Sequence, residues 1–185
     1  MALFGLGRKQ KSFSYKCSDC GDIHHGSPSF GYRRPDNYLW LNEENRKKFA
    51  KANDDLCEIL PTDDGQITEA EYYIRCTLDI PINGAVDPFC WGVWLSQSKD
   101  NFERYVETFD KNQDGDGSFG WLSVAMPYYK EKSPNQNHLA ADVMWGTERP
   151  KVYLHECDHP LYIDQRDGIS WDKAIEIITP LMHSS

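Results

Sequence analysis

No stretch of the chain approaches the roughly eighteen consecutive apolar residues that a membrane-spanning helix needs, so no passage through a bilayer is expected. Positive charge is also scarce. Twenty Lys and Arg face 29 Asp and Glu, a formal net charge of −9, and a surface of that sign repels a phosphate backbone. Nucleic acid is therefore not expected as a partner, whereas a basic protein is. Catalytic signatures are missing too: there is no HExxH, no GxSxG elbow, no phosphate-cradling glycine loop with its lysine, and no His-x-Glu with Pro-Cys-x-x-Cys of the zinc deaminases. Near Met1 the basic residues follow the apolar ones, the reverse of a secretory signal, so a cytoplasmic and reducing location is expected. In such a compartment six cysteines are expected as thiols or metal ligands rather than as disulfides.

What the chain does have suits one domain. A length of 185 residues at 39% hydrophobic can bury a sizeable core. Residues 1–12 are Gly- and Lys-rich without periodicity and are expected to be flexible, residues 13–185 form a single domain, and 13–31 carry a knuckle-like element. From Tyr72 to Ile82 every even position is apolar, the period of a strand with one buried face. Phe89 to Ser96 reads as a second strand, joined through Asn83-Gly84 as an antiparallel hairpin. Phe102, Tyr105, Val106 and Phe109 mark an amphipathic helix from Lys99, and strand-like runs follow at 119–124, 138–144 and 151–155. Asn42 caps a short polar helix, and Ser170 caps a last helix carrying Trp171, Ala174, Ile175, Ile178 and Leu181 on one face. Without regular βαβ alternation this order implies an α+β fold: a mainly antiparallel sheet, helices packed on one side, and an N-terminal zinc-knuckle-like element.

The strongest chemical signal is Cys17-Ser-Asp-Cys20-Gly-Asp-Ile-His24-His25. Two thiols three positions apart, followed by a glycine turn and imidazoles, have the spacing that bites one tetrahedral metal. Cys17 and Cys20 are the first two expected ligands of a zinc ion, with His24 and Cys57 completing a Cys₃His set; His25, Cys157 and His159 are the further candidates. A closed set of four would make the zinc structural, and three plus water would allow hydrolytic chemistry.

Two weaker features stand beside it. Asp110-Lys-Asn112-Gln-Asp114-Gly-Asp116 places oxygen ligands like a calcium-binding EF-hand loop, yet Gly117 and Trp121 stand where an apolar residue and the bidentate glutamate belong, so tight calcium binding is not expected. Arg75, with Trp91 and Trp94 on the next strand, offers either a basic and aromatic partner-binding patch or plain cross-strand packing.

Several separated motifs then recur in a fixed order: Tyr15-Lys-Cys-Ser-Asp-Cys-Gly-Asp-Ile-His24, Phe30-Gly, Asp55-Leu-Cys57, Tyr73-Ile-Arg75, Phe89-Cys-Trp-Gly-Val-Trp-Leu-Ser96, Asn101-Phe102, Phe119-Gly-Trp-Leu122, and His159-Pro-Leu161 ahead of Gln165-Arg-Asp-Gly-Ile169. In these the chain, from Tyr15 to His183, resembles the bacterial family called domain of unknown function 2199. The resemblance implies a shared fold and a metal-ribbon-like element, and it implies no activity. Loop 110–118 and segment 130–138 depart from it. An acidic, aromatic-rich, zinc-stapled domain with no catalytic motif is expected to act by binding another protein, as an immunity protein binds a basic toxin domain. The alternative expectation is a zinc-dependent enzyme of hydrolase type with Asp22 or Asp158 as base.

Overall fold

The computed structural model describes residues 10–109, 111, 115–132 and 139–182. Its centre is the strand pair that the period-two patterning predicts. In β6 (Glu71–Ile80) the side chains of Ile74, Cys76, Leu78 and Ile80 are fully buried. β7 (Phe89–Gln97) runs antiparallel to it, from Ile80↔Phe89 to Tyr72↔Gln97. Gly84, at φ +91°, makes the turn between them, a conformation that costs a side-chain-bearing residue. β7 is covered on both faces, because Trp91, Val93 and Leu95 point one way and Trp94 the other, and all four are buried.

Around this pair the chain builds β1 (Ser14–Lys16), β2 (Ile23–His25), β3 (Ser29–Gly31), α1 (Asp36–Trp40), α2 (Glu43–Phe49), β4 (Ala50–Ala52) and β5 (Leu56–Ile59) before it, then α3 (Lys99–Thr108), β8 (Gly117–Trp121), α4 (Pro127–Lys132), β9 (Ala140–Met144), β10 (Lys151–Leu154), α5 (Pro160–Asp167) and α6 (Trp171–Met182) after it. The main sheet has the order β3-β7-β6-β10-β9-β8, with β5 also on β6 and β4 on β5.

The fold is α+β, but the sheet is mixed. β3 pairs parallel with β7, and β10 pairs parallel with β6 at Lys151↔Thr77, while the other pairings are antiparallel. Both parallel contacts come from crossovers, which the alternation inside each strand does not encode. The sheet also rolls back on itself. Leu122 bridges Leu95, the Ser123 amide donates to the Trp94 carbonyl at 2.8 Å, and the Trp121 amide donates to Ser96 Oγ at 3.2 Å. Gly120 permits this approach, since a Cβ there would collide with the Ser96 carbonyl.

The helix caps form as their residue types dictate. The side chains of Asn42, Ser98 and Ser170 accept from the amides of Asn45, Asn101 and Lys173. The apolar stripe of α3 divides: Tyr105 is buried against Trp145, whereas Val106 and Phe109 are exposed. None of the described helices is long and apolar enough to cross a membrane.

Candidate functional site

The Cys-x-x-Cys turn sits at the tip of the β1–β2 hairpin. Tyr15 pairs with His24 across it, and the turn is closed by the Cys17 amide on the Asp22 carbonyl (2.8 Å) and the Gly21 amide on the Cys17 carbonyl (3.1 Å). Gly21, at φ +78°, allows the chain to reverse there. The result brings Cys17, Cys20 and His24 together, with ligand atoms all within 4.8 Å of one another. Cys20 Sγ lies 3.4 Å from His24 Nε2. Around a tetrahedral zinc, sulfur and nitrogen donors at their usual bond lengths stand about 3.6 Å apart, so the spacing fits. Cys17 is buried, His24 is half-buried against the Tyr15 ring, and Cys20 is exposed.

The hairpin is anchored at the other end of the sequence. Phe13 stacks on Trp171, Trp171 Nε1 donates to the Ser14 carbonyl at 3.1 Å, and the Tyr15 hydroxyl donates to Met182 Sδ at 3.0 Å. Three donors on a braced hairpin can hold a metal ion.

The remaining candidates do not join this cluster. His25 follows His24 and so projects from the opposite face of β2. Cys57 lies fully buried on β5 opposite Tyr73, and that burial pushes its thiol up to about 12. Cys157 is half-buried in the turn before α5. His159 is buried and caps α5, its Nδ1 accepting from the Leu161 amide at 3.1 Å, and burial lowers its pKa.

Of the calcium loop, Asp110, Asn112 and Asp114 lie outside the described residues, and Asp116 pairs with Arg104 at 3.1 Å. Of the two readings of Arg75, Trp91 and Trp94, the buried indoles follow cross-strand packing. Three positions apart on one strand, the two indoles project from opposite faces of β7, and both are buried. Arg75 shares its face with Trp94 alone of the two.

Sequence reasoning missed a cleft away from the Cys-Cys-His cluster. A cavity of about 590 Å³ is lined by apolar residues such as Leu122, Val124, Met126 and Leu161, with Asp36, Lys130, Tyr129 and His159 among its polar groups. Trp40 and Trp121 belong to the same lining and are 68% and 44% exposed, large aromatic surface left in water. Burial raises the Asp36 carboxyl, against a lowering backbone hydrogen bond from Ala125 and the nearby Lys130. Tyr129 donates to Asp164 at 2.9 Å, and Asp164 also receives Lys173 at 2.7 Å. The one signal in the sequence was Asp36-Asn-Tyr-Leu-Trp40, aromatic residues clustered with no strand or helix period to claim them. None of Cys17, Cys20 and His24 lines this cleft.

Residues 16–169, most of the chain and all of its sheet strands after β1, match the family model for an uncharacterized protein conserved in bacteria. The chain belongs to the domain of unknown function 2199 family. Comparisons with curated proteins and with solved structures found no match. The match to this bacterial family begins at Lys16, immediately before the Cys-x-x-Cys turn, so all three clustered donors fall inside it.

Proposed function

We propose that this family member binds zinc through Cys17, Cys20 and His24 and acts without catalysis, by binding another protein in the bacterial cytoplasm. The observation that carries the reading is the position of the Cys-Cys-His cluster: it lies at the tip of a hairpin docked on α6 and takes no part in the cleft. Two thiolates and an imidazole are donors that suit zinc, and a zinc placed there ties the hairpin's turn rather than facing a substrate cavity. The binding surface is the cleft mouth, where Trp40 and Trp121 offer exposed aromatic anchors of the kind that dominate protein interfaces. With a net charge of −9 the partner is basic, and an immunity protein that neutralises a bacterial toxin domain fits both features.

The test is to search the neighbouring genes for a secreted toxin with a basic domain and to co-express that domain with the chain. Restored growth together with a stable complex supports the reading; unchanged toxicity with no complex overturns it.

A second reading has one observation in its favour. Three protein donors leave one tetrahedral position for water, as a hydrolytic zinc requires, and Asp22, which lies between Cys20 and His24 and whose carbonyl closes the Cys17 turn, is the acid to serve as base. Zinc-dependent hydrolysis of ester, phosphoester or peptide substrates, lost in Asp22→Asn, would establish it over the first.

A further inference from the structure

Three arginines meet at one cavity of about 390 Å³: Arg33 and Arg34, which follow β3, and Arg75 from β6, with Leu39 and Asp54 completing the lining. The Arg75 guanidinium lies across a gap that two glycines leave open. Gly31 and Gly92 are partners in the parallel β3–β7 pair, and a Cβ on Gly31 would stand 2.8 Å from Arg75 Nη2, while one on Gly92 would stand 3.5 Å away. Arg75 Nη1 donates to the Asp54 carbonyl at 3.3 Å. Its Nε is buried with no hydrogen-bond partner, which leaves the Asp54 carbonyl as the acceptor that holds this guanidinium.

Arg34 Nη1 donates to the adjacent Arg33 carbonyl at 2.6 Å and its guanidinium lies 5.8 Å from the Tyr38 ring centroid, with no carboxylate paired to it, whereas the other described arginines are more fully occupied. Arg104, Arg149 and Arg166 each hold an aspartate, and Arg46 donates to the carbonyls of Tyr38, Leu39 and Leu41. No ion pair among the described residues uses Arg33, Arg34 or Arg75, and Asp54, the one acid in the lining, is joined to none of them by its carboxylate. In a chain carrying a net charge of −9, three guanidinium groups without carboxylates on one cavity are a localised exception to the field of the whole molecule.

We infer that Arg33, Arg34 and Arg75 form a binding site for a phosphoryl group, carried by inorganic phosphate or by a small phosphate ester. Guanidinium forks match the oxygens of a tetrahedral oxyanion, and a phosphate monoester near neutral pH carries close to two negative charges for the three cations to share. The site is separate from the Cys-Cys-His cluster and from the Trp40–Trp121 cleft, so it stands whether or not the protein-binding reading does.

The test is isothermal titration of the full chain with inorganic phosphate, then with glucose 6-phosphate and adenosine monophosphate, at fixed ionic strength. Arg33→Gln/Arg34→Gln replaces an exposed and a half-buried side chain and is expected to fold, and Arg75→Lys keeps the charge but loses the fork; thermal melts verify both. Saturable binding by the unaltered chain is expected, weakened about 10- to 100-fold in each variant. Tighter binding of an ester than of inorganic phosphate assigns the ligand to a phosphorylated compound, and equal binding assigns it to phosphate itself. Absence of saturable binding up to about 10 mM, or equal affinity in the folded variants, overturns the site.

Discussion

Phe13 stacks on Trp171 with ring centroids 4.4 Å apart and planes 28° from parallel. Through this pair the segment just ahead of the Cys-x-x-Cys turn is packed onto the first turn of the last helix. A short two-stranded hairpin is marginal alone in water, so the position of the three clustered donors depends on that packing. Phe13 is almost fully buried, and Phe13→Ala is expected to cost about 3–5 kcal/mol of stability. Because the hairpin then loosens, zinc affinity should fall as well. Thermal unfolding with and without zinc, alongside a competition titration, reads both effects.

The two adjacent histidines make an internal comparison. His24 faces Cys20, and His25 projects from the other side of the same strand. His24→Ala should weaken zinc binding by at least about tenfold, whereas His25→Ala should leave it near the unaltered value. Equal losses in both variants would contradict the assigned cluster.

The buried cap of α5 gives a pH dependence of known sign. Burial lowers the His159 pKa, and its Nδ1 accepts from the Leu161 amide, which requires the unprotonated nitrogen. The unfolded chain therefore binds more protons than the folded one below the ordinary histidine value of about 6.5. Stability from this group is full above that pH and is lost as pH falls from about 6.5 through the folded-state pKa. Asp36, whose carboxyl is raised by burial, acts in the opposite sense, because its proton is held more tightly in the folded state. Melts of the unaltered chain and of His159→Asn, which retains a capping oxygen, isolate the histidine: their stability difference should shrink between pH 7 and pH 5.

Much of the frame was readable from the residues. The alternation at Ile74, Cys76, Leu78 and Ile80 and the Asn83-Gly84 turn led directly to the β6–β7 hairpin, because a strand with one buried face writes its period into the chain. Cys17, Cys20 and His24 were legible for a similar reason, since their contacts are local and spacing constrains local geometry. The parallel contacts of β3 with β7 and of β10 with β6 were not, because crossover pairing depends on tertiary packing between segments far apart in sequence. Cys57 illustrates the same limit: as a third thiol it was expected to complete the knuckle's ligand set, and its pairing opposite Tyr73 takes it into the main sheet instead. The cleft joins Trp40, Trp121, Tyr129 and His159 from four separate segments, so no single stretch announces it.

The exposed indoles separate binding from folding. Trp40→Ala and Trp121→Ala should change stability by only about 0.5 kcal/mol, as surface substitutions do, while weakening the proposed protein complex by about 2 kcal/mol or more. Glu43→Lys/Glu44→Lys, on exposed positions of α2, should slow association with a basic partner and flatten its salt dependence. Association kinetics over a range of ionic strength check both expectations.

The central claim is the metal, and its most direct test is zinc content of the purified chain by mass spectrometry combined with alkylation of Cys20 before and after chelation. Cys20 is exposed and would react freely as a bare thiol. The account predicts about one zinc per chain, with Cys20 protected until chelator is added and a lower melting temperature afterwards. A metal-free protein whose Cys20 reacts at one rate with or without chelator, and whose melting temperature does not move, would contradict it.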